Sequence, residues 1–246
     1  TRWMLAVGEW VAGLDGAVLL LPAAPWLVLP LGGVGAMLLL LAPVQQLLAA
    51  RWLTRLRRVT GAVFLVMALL LWRGSERPLV LVSAEGDAVG VLTAAGRVPS
   101  KPRGGAFAVT NWLEADGDAA DQATAATRPL WTGEASTRSA AVMFGTRQIW
   151  IHHLTGKAGM AAITRLCGDG AVVITNQQTE LPSNAGCVLL DPKSLRQSGA
   201  VALAGTKGEF TILSTDQAGS GRSWTTNKRL RKPDGPNRRE PKSEVN

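Results

Sequence analysis

Apolar and polar positions divide the chain into a greasy front, an alternating middle and a polar tail. From Gly16 to Ala50 no residue is charged, and Val59 to Trp72 forms a second apolar run; the segment between them, Arg51 to Arg58, holds Arg51, Arg55, Arg57 and Arg58. That pattern predicts a membrane helical hairpin over residues 1–78, with spans at about 27–48 and 59–72 joined by a basic elbow. A span needs about twenty apolar residues to cross about 30 Å of hydrocarbon. The second run is short, but its flanking arginines can snorkel to the interface. Upstream, Met4 to Leu21 mixes apolar residues with Glu9, Asp15, Trp3 and Trp10, which predicts an interfacial or membrane helix over 3–21. Pro22, Pro25 and Pro30 break the chain after it. Gly32, Gly33 and Gly35 suit either close helix packing or plain helix flexibility.

Short basic loops stay in the cytoplasm, so the elbow acts as the topology determinant and sends the following domain to the periplasm. The expectation is a multi-pass protein of the bacterial inner membrane. The chain starts at Thr1 without the charged n-region of a signal peptide, which reads as the C-terminal piece of a longer polytopic protein. A start near Met4 is the alternative.

Residues 79–227 read as an α/β or α+β layered domain. Leu79 to Val82 and Ala88 to Thr93 are strands joined at Glu85-Gly86-Asp87, and Ala94 to Arg97 turns the chain again, giving an antiparallel meander. Asn111 to Thr127 is Ala-rich and acidic and holds a short helix. Strands follow at Ala140 to Phe144 and Gln148 to His152. Lys157 to Cys167 carries helical apolar spacing, stopped by Gly168 and Gly170. Further strands fall at Ala171 to Thr175, Cys187 to Leu190, Ala200 to Leu203 and Glu209 to Leu213, and Asp191-Pro192 opens a helix. From Lys228 the tail has little to bury and reads as disordered.

Charge changes the picture in one respect. The net +8 comes from seven Lys/Arg against three acids in residues 1–78 and the same excess in 228–246, whereas 79–227 carries twelve of each. A neutral middle domain lacks the basic face that phosphate binding needs.

Candidate chemistry is sparse. The two histidines, His152 and His153, are adjacent on a strand and point to opposite faces, so they do not share one ion. Glu114, Asp116, Asp118 and Asp121 fail the EF-hand pattern, since the bidentate position falls on Thr127, and read as a solvated loop entering a helix. Thr155-Gly156-Lys157 lacks the upstream glycine of a P-loop, with Ile151 in its place. No serine sits in a nucleophile elbow. Cys167 and Cys187 flank one strand and make either a disulfide or two buried thiols.

Several segments resemble a known family. Leu81 to Val89 with its Gly86-Asp87-Ala88, followed by Thr93 to Arg97, is similar to the opening hairpin of the metallo-β-lactamase-like domain of ComEC-type competence proteins. Trp112 to Ala119, the Cys167 and Cys187 pair, and Asp191 to Leu203 with Ser198-Gly199-Ala200 resemble the C-terminal part of that family's short-domain members. In the front, Glu9-Trp10-Val11-Ala12 leading through Pro22-Ala23 looks like the end of its transmembrane region.

The resemblance implies the C-terminal part of an inner-membrane component of DNA uptake in natural transformation, a channel for single-stranded DNA. Its partners would be the lipid bilayer, the remainder of the channel and single-stranded DNA. The family's His-x-His-x-Asp-His zinc motif does not occur here, so no catalytic residue, metal ligand or cofactor transfers to this chain. The polar domain then looks like a degenerate, truncated metallo-β-lactamase-like sandwich with a structural or gating role. Two alternatives stand beside this: a membrane-anchored metal-dependent hydrolase or nuclease using His152 and the acidic cluster, and an envelope binding module unrelated to DNA.

Overall fold

The computed structural model describes residues 2–14, 16, 19–41, 51–168, 170–179, 186–206 and 209–215. The tail from 228, and the part of the predicted first span from 42 to 48, lie outside them. The front is helical: α1 (Arg2–Ala12), α2 (Val28–Leu40) and α3 (Arg51–Arg73). Pro30 sits in the first turn of α2, where its missing N–H has no intrahelical acceptor to lose. It therefore starts the helix instead of breaking it.

The membrane hairpin is not what forms. Among the described residues no helix is long and apolar enough to cross a membrane, so the predicted spans, and with them the multi-pass inner-membrane placement and its periplasmic domain, are overturned. The 13 residues of α2 rise about 20 Å, well short of a hydrocarbon core. The 23 residues of α3 are long enough, but arginine occupies their first turns. Arg55, Arg57 and Arg58, with Arg51 at the start, belong to the helix itself and do not form a separate elbow before it. Arginine is a strong helix former, and nothing from Arg51 to Trp72 breaks the pattern.

The two helices cross where Gly35 faces Gly61. A Cβ on Gly35 would stand 2.9 Å from the Gly61 carbonyl oxygen, and one on Gly61 the same distance from that of Gly35. Of the two readings of the glycine cluster, Gly35 takes close packing. Gly32 and Gly33 do not, since a Cβ at either meets nothing within 4 Å. Large apolar side chains on all three helices face outward, among them Trp3, Trp10, Leu29, Met37, Val63 and Leu70.

Residues 79–215 form an α+β fold with two sheets. The first has the order β3-β2-β1-β8-β9, all antiparallel: β1 (Val80–Val82), β2 (Val89–Thr93), β3 (Gly96–Pro99), β8 (Val201–Thr206) and β9 (Glu209–Ser214). The second has the order β4-β5-β6-β7, from β4 (Thr137–Phe144), β5 (Arg147–Leu154), β6 (Val172–Thr175) and β7 (Val188–Leu190). Only the β4–β5 pair is antiparallel there; β5, β6 and β7 run parallel. The closing strands thus extend the opening meander on the far side of β1.

Alternation along the strands aims one row from each sheet at the other. Val80, Val82, Val89 and Val91 meet Phe144, Ile149, Ile151 and Ile174 in one buried cluster. Helix α4 (Ala106–Ala115) and the one-turn α5 (Gln122–Ala125) cover the outer face of the first sheet through Val109, Leu113 and Ala125. Helix α6 (Gly156–Leu166) covers the second through Ile163, against Leu154 and Val173. The result is four layers, helix, sheet, sheet, helix. Helix α7 (Pro192–Ser198) closes one end, and its start is a capping box in which the Asp191 carboxylate accepts from Ser194 N–H while the Ser194 hydroxyl accepts from Asp191 N–H.

The front docks on this domain at the C-terminus of α4. Ala23 N–H donates to the Ala115 carbonyl at 2.8 Å, and the Trp72 indole N–H donates to the Pro22 carbonyl at 2.9 Å. Gly117, in the left-handed region at φ 75°, lies so close to Pro22 that a Cβ would be 2.8 Å from the proline nitrogen.

Candidate functional site

Ser83, Gly86, Asp87, Ser100 and His153 gather at the end of the sandwich where the β1–β2 loop meets the C-termini of β3, β5 and β6. Ser83 organises the loop. Its hydroxyl accepts from Asp87 N–H and Ala88 N–H and donates to the Asp87 carboxylate at 2.7 Å. This lifts Gly86 to φ 68° and presses it on the opposite sheet, where an added Cβ would stand 2.8 Å from the Thr175 carbonyl and 3.0 Å from Leu195. Glycine is required on both counts.

His153 lies on the inward row of β5 with Ile149 and Ile151, and it is wholly buried. Its Nε2 contacts the Gly86 carbonyl at 3.2 Å, and its Nδ1 contacts Ser100 Oγ at 2.6 Å. A carbonyl oxygen only accepts, so Nε2 carries the proton; Nδ1 of the neutral ring must then accept from the serine hydroxyl. Burial, helped by the Lys101 charge, pushes the imidazole down to about 4, against the opposing Gly86 carbonyl and Asp87 carboxylate. The ring is neutral at ordinary pH and spans the two sheets. Lys101 is itself lowered by burial, with Asp87 opposing.

His152 points the other way, as adjacency on a strand dictates. Its Nδ1 sits 2.8 Å from Ser139 Oγ, its cross-strand partner, and its ring stacks on Trp150. Burial lowers its pKa as well. The histidines therefore occupy separate environments, each with a serine at Nδ1.

The acidic stretch does enter a helix, at α5, but of its four acids only Glu114 and Asp121 are exposed. Asp116 ends α4 and pairs with Arg97, Nε to Oδ2 at 2.6 Å and Nη2 to Oδ1 at 3.4 Å. Arg97 is 1% exposed on the outer face of the first sheet, and its Nη1 and Nη2 also donate to the Gly90 and Pro78 carbonyls. Gly90 leaves room for its stem: a Cβ there would be 3.0 Å from Arg97 Cδ. Arg77 adds a second contact to Asp116 at 3.5 Å. Asp118 pairs with Arg128 at 2.5 Å, which holds its carboxyl below the usual range despite partial burial. Asp121 caps α5 by accepting from Thr124 N–H. Glu114 is exposed.

Three of the four acids thus serve the fold, and no group of three or more His, Cys, Asp or Glu able to hold a metal occurs among the described residues. Cys167 and Cys187 are joined as a disulfide, Cα atoms 5.1 Å apart, packed with Met160 and Leu189 under α6. Sequence reasoning missed Ser83, Ser100 and Arg97. Only the Gly96-Arg97 and Gly86-Asp87 turns flagged their neighbourhood, because each partner lies far away along the chain, Asp116 for Arg97 and His153 for Ser100. No family model, curated protein or solved structure matches this chain.

Proposed function

We propose that this chain is the C-terminal part of a ComEC-type DNA-uptake protein and that its two-sheet domain is a scaffold that performs no hydrolysis. The observation that carries the second half is the polar seam of Ser83, Gly86, Ser100 and His153. The resemblance puts the Gly-Asp-Ala turn of the family's opening hairpin at Gly86-Asp87-Ala88. Here the Gly86 carbonyl and both nitrogens of His153 are engaged with one another and with Ser100 in the buried interior. A ring fixed in that way ties the sheets together; it has no lone pair left for a ligand. The first half rests on the segments quoted from Leu81 to Leu203, since the front no longer reads as the end of a transmembrane region.

The test is uptake of labelled DNA and transformation frequency in a transformable host carrying the gene. Deletion is expected to abolish transformation, and the wild-type gene or a His152→Ala allele to restore it. Normal transformation of the deletion strain refutes a role in DNA uptake. DNA cleavage by the purified chain that requires manganese or zinc and disappears in His152→Ala refutes the scaffold reading and favours the hydrolase.

A further inference from the structure

Two neighbouring hollows lie on the front. One, of about 420 Å³, lies between α2 and α3 and is lined by Val28, Gly32, Gly33, Leu65 and Ala68; the other, of about 330 Å³, lies where α3 meets the domain. Leu69 and Trp72 line both. Each falls in the range of roughly 300–1,000 Å³ typical of small-ligand sites. The first hollow is walled by apolar side chains and glycine alone. The second ends in Arg73, Ser75 and Arg77, and no carboxylate lines it.

Each wall has a local cause. Gly32 and Gly33 leave the α2 side open, because a Cβ at either would meet nothing within 4 Å. The Trp72 ring is fixed by its hydrogen bond to the Pro22 carbonyl. Arg77 is held from behind by the Asp116 carbonyl at 3.2 Å and its carboxylate at 3.5 Å, yet its side chain stays 40% exposed. From Leu65 to Arg73 the groove follows about 12 Å of helix. One end is oily; the other carries Arg73 and Arg77, the latter already paired with Asp116.

We infer that this groove binds one anionic amphiphile, with the alkyl chain between α2 and α3 and the charged head at Arg73, Ser75 and Arg77. Guanidinium groups fork onto phosphate or carboxylate oxygens, and the Ser75 hydroxyl adds a donor. The site does not rest on the DNA-uptake reading.

Titration calorimetry of the whole chain with monomeric decyl phosphate tests it. Saturable one-to-one binding is expected, with octyl phosphate, two methylenes shorter, weaker by roughly fifteenfold, since each buried methylene is worth about fourfold in Kd. Decyltrimethylammonium, with the same chain and the opposite charge, should bind at least about tenfold more weakly. Gly33→Leu fills the groove in open space, so it should abolish binding without lowering Tm. Arg73→Glu should weaken decyl phosphate at least about tenfold and narrow the preference for the anion. Absence of saturable binding, equal affinity for anion and cation, or unchanged binding in folded Gly33→Leu overturns the site.

Discussion

The buried imidazole of His153 makes stability depend on pH in a way that can be worked out in advance. Unfolded, the ring takes a proton near 6.5; folded, it does so only near 4, because burial disfavours the charged form. The unfolded chain therefore binds more protons throughout that window, and stability rises with pH across it. Full stability is present above 6.5 and is lost on acidification toward 4. Linkage over this window gives a loss of about 2 kcal/mol between pH 7.5 and pH 5, from this one group. His152, lowered in the same direction by burial, adds to it.

Urea unfolding of the oxidised chain at several pH values between 7.5 and 5 measures the slope. His153→Gln supplies the comparison, since an amide can keep a donor toward the Gly86 carbonyl and an acceptor toward Ser100 without titrating. The variant is expected to be less stable at pH 7.5 and to lose about 2 kcal/mol less than wild type on going to pH 5. Carboxylates and His152 titrate in both chains and cancel. Parallel pH profiles for the two chains would refute the claim that His153 is buried and neutral.

Three further outcomes follow from the packing. Arg97→Met should destabilise by about 3–5 kcal/mol in chemical denaturation, because it leaves the Asp116 carboxylate facing a buried apolar partner, and the Arg97→Met/Asp116→Leu double variant should recover much of that. Gly86→Ala should cost at least about 1–3 kcal/mol by the same assay, from the left-handed backbone and the clash with the Thr175 carbonyl, while Gly33→Ala on exposed α2 should be neutral or stabilising. Reducing Cys167–Cys187, which are 20 residues apart, should lower stability by about 3 kcal/mol, read as a shift in urea midpoint with and without reductant.

Most strands were legible because they hold short apolar runs with turn-forming residues beside them, and the turn at Gly86-Asp87 and the helix start at Asp191-Pro192 announce themselves in local chemistry. Local signals do not say which strand pairs with which. That β8 lies beside β1, closing a sheet across more than a hundred residues, depends on the whole core. The polar pairs were hidden for the same reason. Arg97 reads as a turn residue and Asp116 as part of an exposed acidic run; only the docking of α4 on the first sheet puts one under the other. His153 reads as one of two equivalent histidines until the inward row of β5 is set against the β1–β2 loop.

The front was misread for a different reason. Counting uncharged residues from Gly16 to Ala50 measures composition, whereas crossing a bilayer depends on continuous helix length, and Leu19 to Pro25 is not helical while α2 holds only 13 residues. Treating Arg51 to Arg58 as a loop then borrowed the positive-inside rule for a segment that is helical. Once those arginines belong to α3, its apolar remainder, Val59 to Trp72, spans about 21 Å. What that length does suit is a wall: Leu65, Ala68, Leu69 and Trp72 fall on one helical face, across from glycines that carry no side chain, and the row ends at Arg73. The apolar run and the charge beside it, taken from sequence as a span and its anchor, make better sense as the two ends of one groove.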